Sequence, residues 1–189
     1  MVIIQSKFIG DFAIGDNIVQ NLKILALLYE QFNNGGVVNK RLLCKPIIVS
    51  LGSIVEASLH DLHKRIRTFT IEGVRNITAS AAKEIRERTR LDDFGKYINA
   101  ARTHDLFDEA DSGFYANLET LRLLRNRVHI QNTRDKTLAV KEYSVFTTAQ
   151  KDLAEQVTEK TLRTLSTKFA RDHDYVAELR LPWNAYFAD

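Results

Sequence analysis

"LRLLRNRVHIQN" (121–132) sets Arg122, Arg125, Asn126 and His129 into an otherwise apolar helical run. With Arg122 as origin, a regular helix puts Arg125 at about −60°, His129 at about −20° and Asn126 at about +40°. The polar strip is flanked by Leu121, Leu124 and Val128 on one side and by Leu123 and Ile130 on the other. Arg127, at about +140°, is expected to point into solvent. A polar strip between apolar shoulders suits a contact or a cleft. The competing reading is a solvated helix end, where Arg and His meet the last carbonyls and the macrodipole.

Working outward, the helix holding this stretch is predicted from about Gly113 to Gln131, with Phe114, Leu118, Leu121, Leu124 and Val128 facing in. "NTRDKT" (132–137) reads as a loop. Thr147 and Gln150 have capping-box spacing before a last long helix that turns Leu153, Val157, Leu162, Leu165 and Phe169 inward. Pro182 closes it, leaving "WNAYFAD" as a tail. Upstream, Asp16 is the expected cap of a helix with Ile18, Leu22, Leu25, Leu28 and Phe32 at helical spacing, broken by "NNGG" (33–36). A second helix is expected from near Pro46, with Leu51, Val55, Leu59, Leu62, Ile66 and Phe69 on one stripe. Residues 72–90 read as a third helix around 78–90 or as a mobile insertion, and a further short helix is expected in "DDFGKYINAARTHDLF" (92–107), where Phe94, Ile98, Ala101 and Phe107 form an apolar edge. The pattern predicts an all-α bundle of about five helices in one domain, 1–189. Its core spans about 16–171, between an N-terminal extension and a C-terminal tail.

The 189 residues are 44 % hydrophobic and 27 % charged, a globular rather than disordered balance. The net charge of +3 permits an anionic partner without requiring one. Cys44 is the single cysteine and cannot form an internal disulfide, which suits a reducing compartment. "MVIIQSKFIGDFAIGD" lacks a cationic lead, and Gln5, Ser6 and Lys7 interrupt its apolar run, unlike a secretory signal. No stretch reads as a membrane span, so the expectation is a cytoplasmic protein without a membrane partner.

The strip has a definite chemistry. Guanidinium forks match phosphate oxygens and keep their charge. A histidine takes or gives a proton near neutral pH. Together they suit attack of a ribose 2′-hydroxyl on the adjacent phosphodiester, which needs a base, cationic stabilisation and an acid, but no metal.

"LETLRLLRNRVHIQN" (118–132) resembles the signature helix of the HEPN superfamily (higher eukaryotes and prokaryotes nucleotide-binding). Its members are helical bundles, many of them metal-independent ribonucleases of toxin–antitoxin, phage-defence and RNA-processing systems. Their motif is an arginine, usually followed by a polar residue, with a histidine after a spacer of four to six residues. Arg125 followed by Asn126 looks like the motif start and His129 like its histidine, with three residues between Arg125 and His129. Six separate Arg122 from His129, but Leu123 then occupies the polar position, so either arginine fits the role. "SIVEASLHDL" (53–62) looks like the earlier family helix, and Glu56 matches the acidic residue that faces the motif helix. The resemblance covers about 16–171. It implies an endoribonuclease with His129 as proton carrier, Arg125 and Arg122 on the scissile phosphate, Asn126 orienting them and Glu56 in support. It also implies RNA as substrate, no cofactor, a homodimer with facing motif helices, and a cognate antitoxin or other protein partner. The alternative within the same resemblance is a non-catalytic module that binds RNA, a nucleotide or a protein.

Other constellations are weaker. Glu56, His60 and His63 share a helical face, but a three-ligand set from one helix still needs a fourth ligand, and no HExxH pattern or cysteine pair supplies it. The expectation is therefore no metal. "HKRIRTF" (63–69), with Lys64, Arg65 and Arg67, offers a basic face for an RNA backbone, although such runs are commonly just solvated.

Overall fold

The computed structural model describes residues 1–69, 72–87, 92–129, 141–172 and 176–187. These form β1 (Val2–Gln5), α1 (Phe12–Asn34), α2 (Val37–Thr68), α3 (Ala79–Glu87), α4 (Phe94–Thr103), α5 (Phe114–Asn126), α6 (Glu142–Val145), α7 (Thr148–Lys168) and β2 (Glu178–Leu181). The protein is mostly helical, as its periodicity predicts. The 132–137 loop and the end of the predicted 113–131 helix lie outside the described residues.

α2 is the axis of the bundle. Its 32 residues span about 48 Å at 1.5 Å per residue. It packs against α1, α3, α4, α5 and α7. Leu51, Val55, Leu59, Leu62 and Ile66 are buried, and Phe69 is half-buried. The expected start near Pro46 is corrected to Val37. Gly35 and Gly36 make a two-residue reversal between α1 and α2, so the residues before Pro46 join the helix. A Cβ on Gly35 would lie 2.9 Å from the Gln31 carbonyl oxygen, so the reversal needs a glycine there. Pro46 has no N–H for the Leu42 carbonyl, and Leu42 is exposed, so the gap lies on the solvent side. Contrary to expectation, α2 is long and apolar enough by length and composition to cross a membrane; half of its apolar window is buried against the other helices.

The cap of α1 is Asp11, not Asp16. Its carboxylate accepts from the Ala13 and Ile14 N–H groups at 3.0 and 3.4 Å. Asp61 on α2 accepts the Gly10 and Asp11 N–H groups at 2.8 and 2.9 Å, which fixes the chain early enough for Phe12–Gly15 to become helical. Lys64 donates to Asp11 at 2.7 Å and thereby holds its carboxyl below the ordinary 3.8. A carboxyl depressed on folding contributes stability above its unfolded pKa and loses it as pH falls through the folded one. Asp11→Asn keeps a capping oxygen but removes the charge. Below pH 3.8 it should therefore lose helix less steeply than the wild type, as read by circular dichroism.

Two features depart from a purely helical picture. β1 pairs antiparallel with β2 in the register Val2↔Leu181 to Gln5↔Glu178. Val2, Ile4, Leu179 and Leu181 face the core while the alternate residues face out. The tail after Pro182 also packs: Trp183 is buried and belongs to the same apolar core as α1, α2 and α7. Both chain ends thus extend the core beyond 16–171. At α7, Thr147 accepts the Gln150 N–H at 3.2 Å, and Val157, Leu162, Leu165 and Phe169 are buried.

Candidate functional site

α5 lies against α2 and α4 and carries the strip. Gly52 lets the α2 backbone approach closely: a Cβ there would stand 2.7 Å from Arg125 Cβ and 3.0 Å from Cγ. The Arg125 guanidinium reaches Glu56 one turn further along α2 and forms an ion pair through Nη2. Its Nη1 donates to the Asn126 side-chain oxygen at 3.1 Å. Arg125 remains about one third exposed (34 %) and Glu56 less so (22 %), so the pair sits at a lip rather than in the core. Arg122 is held by Glu119 through two bonds, Nε to Oε2 at 2.9 Å and Nη2 to Oε1 at 2.5 Å. It runs beside Gly95 of α4, where a Cβ would meet Arg122 Cδ at 3.5 Å. Glu119 was legible as a partner three residues back on the same helix, a favourable spacing for an ion pair.

Gly52→Ala tests this close approach. Replacing glycine by alanine inside a helix ordinarily gains about 0.5–1 kcal/mol. Here the methyl group must displace the root of Arg125, and overpacking of this kind costs about 1–3 kcal/mol. The expected result is a lower midpoint in urea together with weakened function of the strip. A midpoint raised by the substitution would show that α5 yields without cost.

The helical wheel fails at the end of α5. The Arg127 N–H is shared between the Leu123 and Leu124 carbonyls, both at 3.1 Å, and the Val128 N–H turns back to Arg125 at 3.2 Å. This tightening ends the α-helix at Asn126. Arg127, expected in solvent, is buried at 2 % exposure, and Val128, expected inside, is 42 % exposed. His129 follows at an exposed position beyond the helix. Arg122, Arg125 and Asn126 thus share α5, whereas His129 stands on the turn after it.

The remaining expected positions are distributed differently. Arg65 is not at the surface: it is 2 % exposed, and its Nη1 donates to the Phe8 carbonyl at 2.6 Å and the Phe169 carbonyl at 3.0 Å. It ties the N-terminal segment to the end of α7, so it is corrected from RNA contact to internal strut. Lys64 and Arg67 are exposed. Glu56, His60 and His63 serve separate partners, with His60 Nδ1 2.8 Å from the Tyr97 hydroxyl and His63 Nδ1 donating to the Leu59 carbonyl at 2.7 Å. Among the described residues no group of three or more His, Cys, Asp or Glu is arranged to hold a metal ion. Tyr97 was not singled out by the sequence, where it reads as one more apolar position of α4. Burial, and then the charge of Glu56, push its phenol up, so it stays protonated.

Comparison of the chain with protein-family models, with curated proteins and with solved structures finds no match.

Proposed function

We propose that the protein is a HEPN-like bundle acting as a metal-independent endoribonuclease, working as a homodimer in the cytoplasm. The observation that carries this reading is the Glu56–Arg125–Asn126 cluster: a guanidinium oriented on two sides yet a third exposed, with Arg122 one turn away and His129 just beyond the helix. A guanidinium has five N–H donors, and Glu56 and Asn126 occupy two of Arg125's. The remainder suit phosphate oxygens in a planar, bidentate contact.

In this reading His129 removes the proton of a ribose 2′-hydroxyl. The 2′-oxygen attacks the adjacent phosphorus, and Arg125 with Arg122 stabilises the charge that develops on the non-bridging oxygens. The phosphorus–O5′ bond breaks and O5′ takes up a proton, leaving a 2′,3′-cyclic phosphate and a 5′-hydroxyl. A second copy of the chain, apposed through α5, would bring a second histidine to supply that proton.

A second reading, a non-catalytic module binding RNA, a nucleotide or a protein through the same strip, is favoured by one observation. α5 ends before His129, so the histidine does not share the helical register of the arginines. Cleavage of single-stranded RNA in the presence of EDTA separates the two. The ribonuclease reading expects cleavage by the wild type and a drop of about 10²–10³-fold in Arg125→Ala. Binding without cleavage by the wild type, across several RNAs, would support the module instead.

A further inference from the structure

Along α2 from the Glu56–Arg125 pair, the surface opens into a cleft of about 320 Å³. Three elements converge on it. α2 contributes His60, His63, Arg67 and Thr68, α3 contributes Arg86, and α4 contributes Tyr97. His63, 1 % exposed, and Tyr97, 4 % exposed, make an aromatic floor with ring centroids 5.3 Å apart. Arg67 and Arg86 are exposed above it. Arg86 is braced through Nε, which donates to the Ile66 carbonyl at 2.8 Å, and so is directed from α3 across to α2.

Among the described residues lining the cleft there is no carboxylate. Acidic groups on the surrounding elements face other partners: Glu56 is on Arg125, Asp61 on the Gly10 and Asp11 N–H groups, Asp11 on Lys64 at the rim, Asp92 and Asp93 on Lys96, Glu84 beside His104 and Glu87 beside Lys83. A merely solvated basic face would be convex and interleaved with acids. This one is concave, floored by buried rings and cationic. His63 Nδ1 donates to the Leu59 carbonyl, and His60 Nδ1 lies 2.8 Å from the Tyr97 hydroxyl, so both imidazoles are held in place at the cleft. The cleft therefore offers an oriented imidazole together with two guanidinium groups. At 1.5 Å per residue, His60 lies about 6 Å and Arg67 about 16 Å along α2 from Glu56.

We infer that this cleft is a second phosphate subsite, which holds the backbone of the same RNA beside the phosphate engaged by Arg125. The identity of the ligand rests on the function proposed above; the cationic chemistry of the cleft does not. It deepens the expectation for Lys64, Arg65 and Arg67 by removing Arg65 and adding His60, Arg86 and the Tyr97 floor.

The test uses the full chain and a 5′-fluorescein-labelled single-stranded RNA with 2′-O-methyl riboses, which cannot undergo 2′-hydroxyl attack. Binding is followed by anisotropy across a salt series, with AMP as competitor. Arg67→Ala, an exposed position whose folding is checked by circular dichroism, should weaken binding several-fold. It should also reduce the slope of log K against log salt by about 0.7, the value for one phosphate contact on a single strand. Lys23→Ala, on the outer face of α1, should match the wild type. Loss of binding in Arg125→Ala with Arg67→Ala unchanged would overturn the subsite and leave the ribonuclease intact. Binding that depends on Arg67, without cleavage of ordinary RNA, would leave the subsite and overturn the ribonuclease. AMP displacing the RNA through Arg67 as effectively as a longer unlabelled RNA would assign the cleft to a free nucleotide and overturn the backbone path. No RNA binding by the wild type at low salt would overturn both.

Discussion

Glu159→Ala should lower the stability of the protein by about 3–5 kcal/mol, the range for removing one partner of a buried charged cluster. Glu159 on α7 is fully buried and satisfies four donors at once. Arg163 Nε lies at 2.9 Å, Trp183 Nε1 at 3.1 Å, and the backbone N–H groups of Tyr186 and Phe187 at 3.2 and 3.4 Å. Three of these belong to the C-terminal tail, so one carboxylate fastens the tail to the bundle. Glu155, one turn earlier, repeats the arrangement with Tyr29, Lys151 at 2.5 Å and the Tyr186 hydroxyl at 2.5 Å. Burial, followed by Glu155, pushes the Tyr29 and Tyr186 phenols well up, so both remain donors. Removing Glu159 takes the shared acceptor from the indole N–H and two amides and takes the carboxylate from the Arg163 Nε–H. Trp183 is the single tryptophan of the chain, so urea unfolding followed by its fluorescence reads the tail directly. Glu159→Gln should fall between alanine and wild type, because it keeps one acceptor oxygen but presents an amide to the other donors. An alanine variant within 1 kcal/mol of wild type, an ordinary surface effect, would contradict the account of the tail.

This latch shows where the sequence stops being legible. Leu153, Val157, Leu162 and Leu165 announce α7 through their spacing, but Glu155 and Glu159 read as solvent-facing charges because helical patterning places acids outside by default. Lys151 and Arg163 lie four residues along the same helix and read as ordinary surface pairs, while the remaining partners lie more than twenty residues away in the tail or on α1, where no local rule links them. The β1–β2 pair was hidden for a similar reason. Val2 and Ile4, like Leu179 and Leu181, alternate correctly, but four residues are too few to outweigh a helical background, and their partner is at the opposite chain end. Asp16 and Asp11 are both good caps, and the choice was made by Asp61, a tertiary contact. In the candidate site the strip was legible as far as α5 stays regular. Arg122, Arg125 and Asn126 hold their helix, whereas Arg127, Val128 and His129 fall past the tightened turn, where 100° per residue no longer applies. Glu56 was legible as an acid on the facing helix, while Gly52, which allows the approach, carried no chemical signal.

The second large effect concerns His129. As the only group proposed to move a proton within one copy of the strip, its removal should cost about 10²–10⁴-fold in RNA cleavage, the ordinary contribution of a positioned acid or base. His129 is exposed and follows the last helical turn, so His129→Ala should unfold with the wild-type midpoint. That pairing of a large loss in rate with an unchanged midpoint distinguishes it from Gly52→Ala, where stability and function fall together, and from Glu159→Ala, where the midpoint falls.

The most direct measurement compares wild type and His129→Ala on a 5′-labelled single-stranded RNA in EDTA, with the two proteins matched in fold and oligomeric state and the fragment ends identified. The account predicts cleavage by the wild type to 2′,3′-cyclic phosphate ends and little or none by the variant. Equal cleavage by both proteins, or wild-type cleavage that EDTA abolishes, would contradict it.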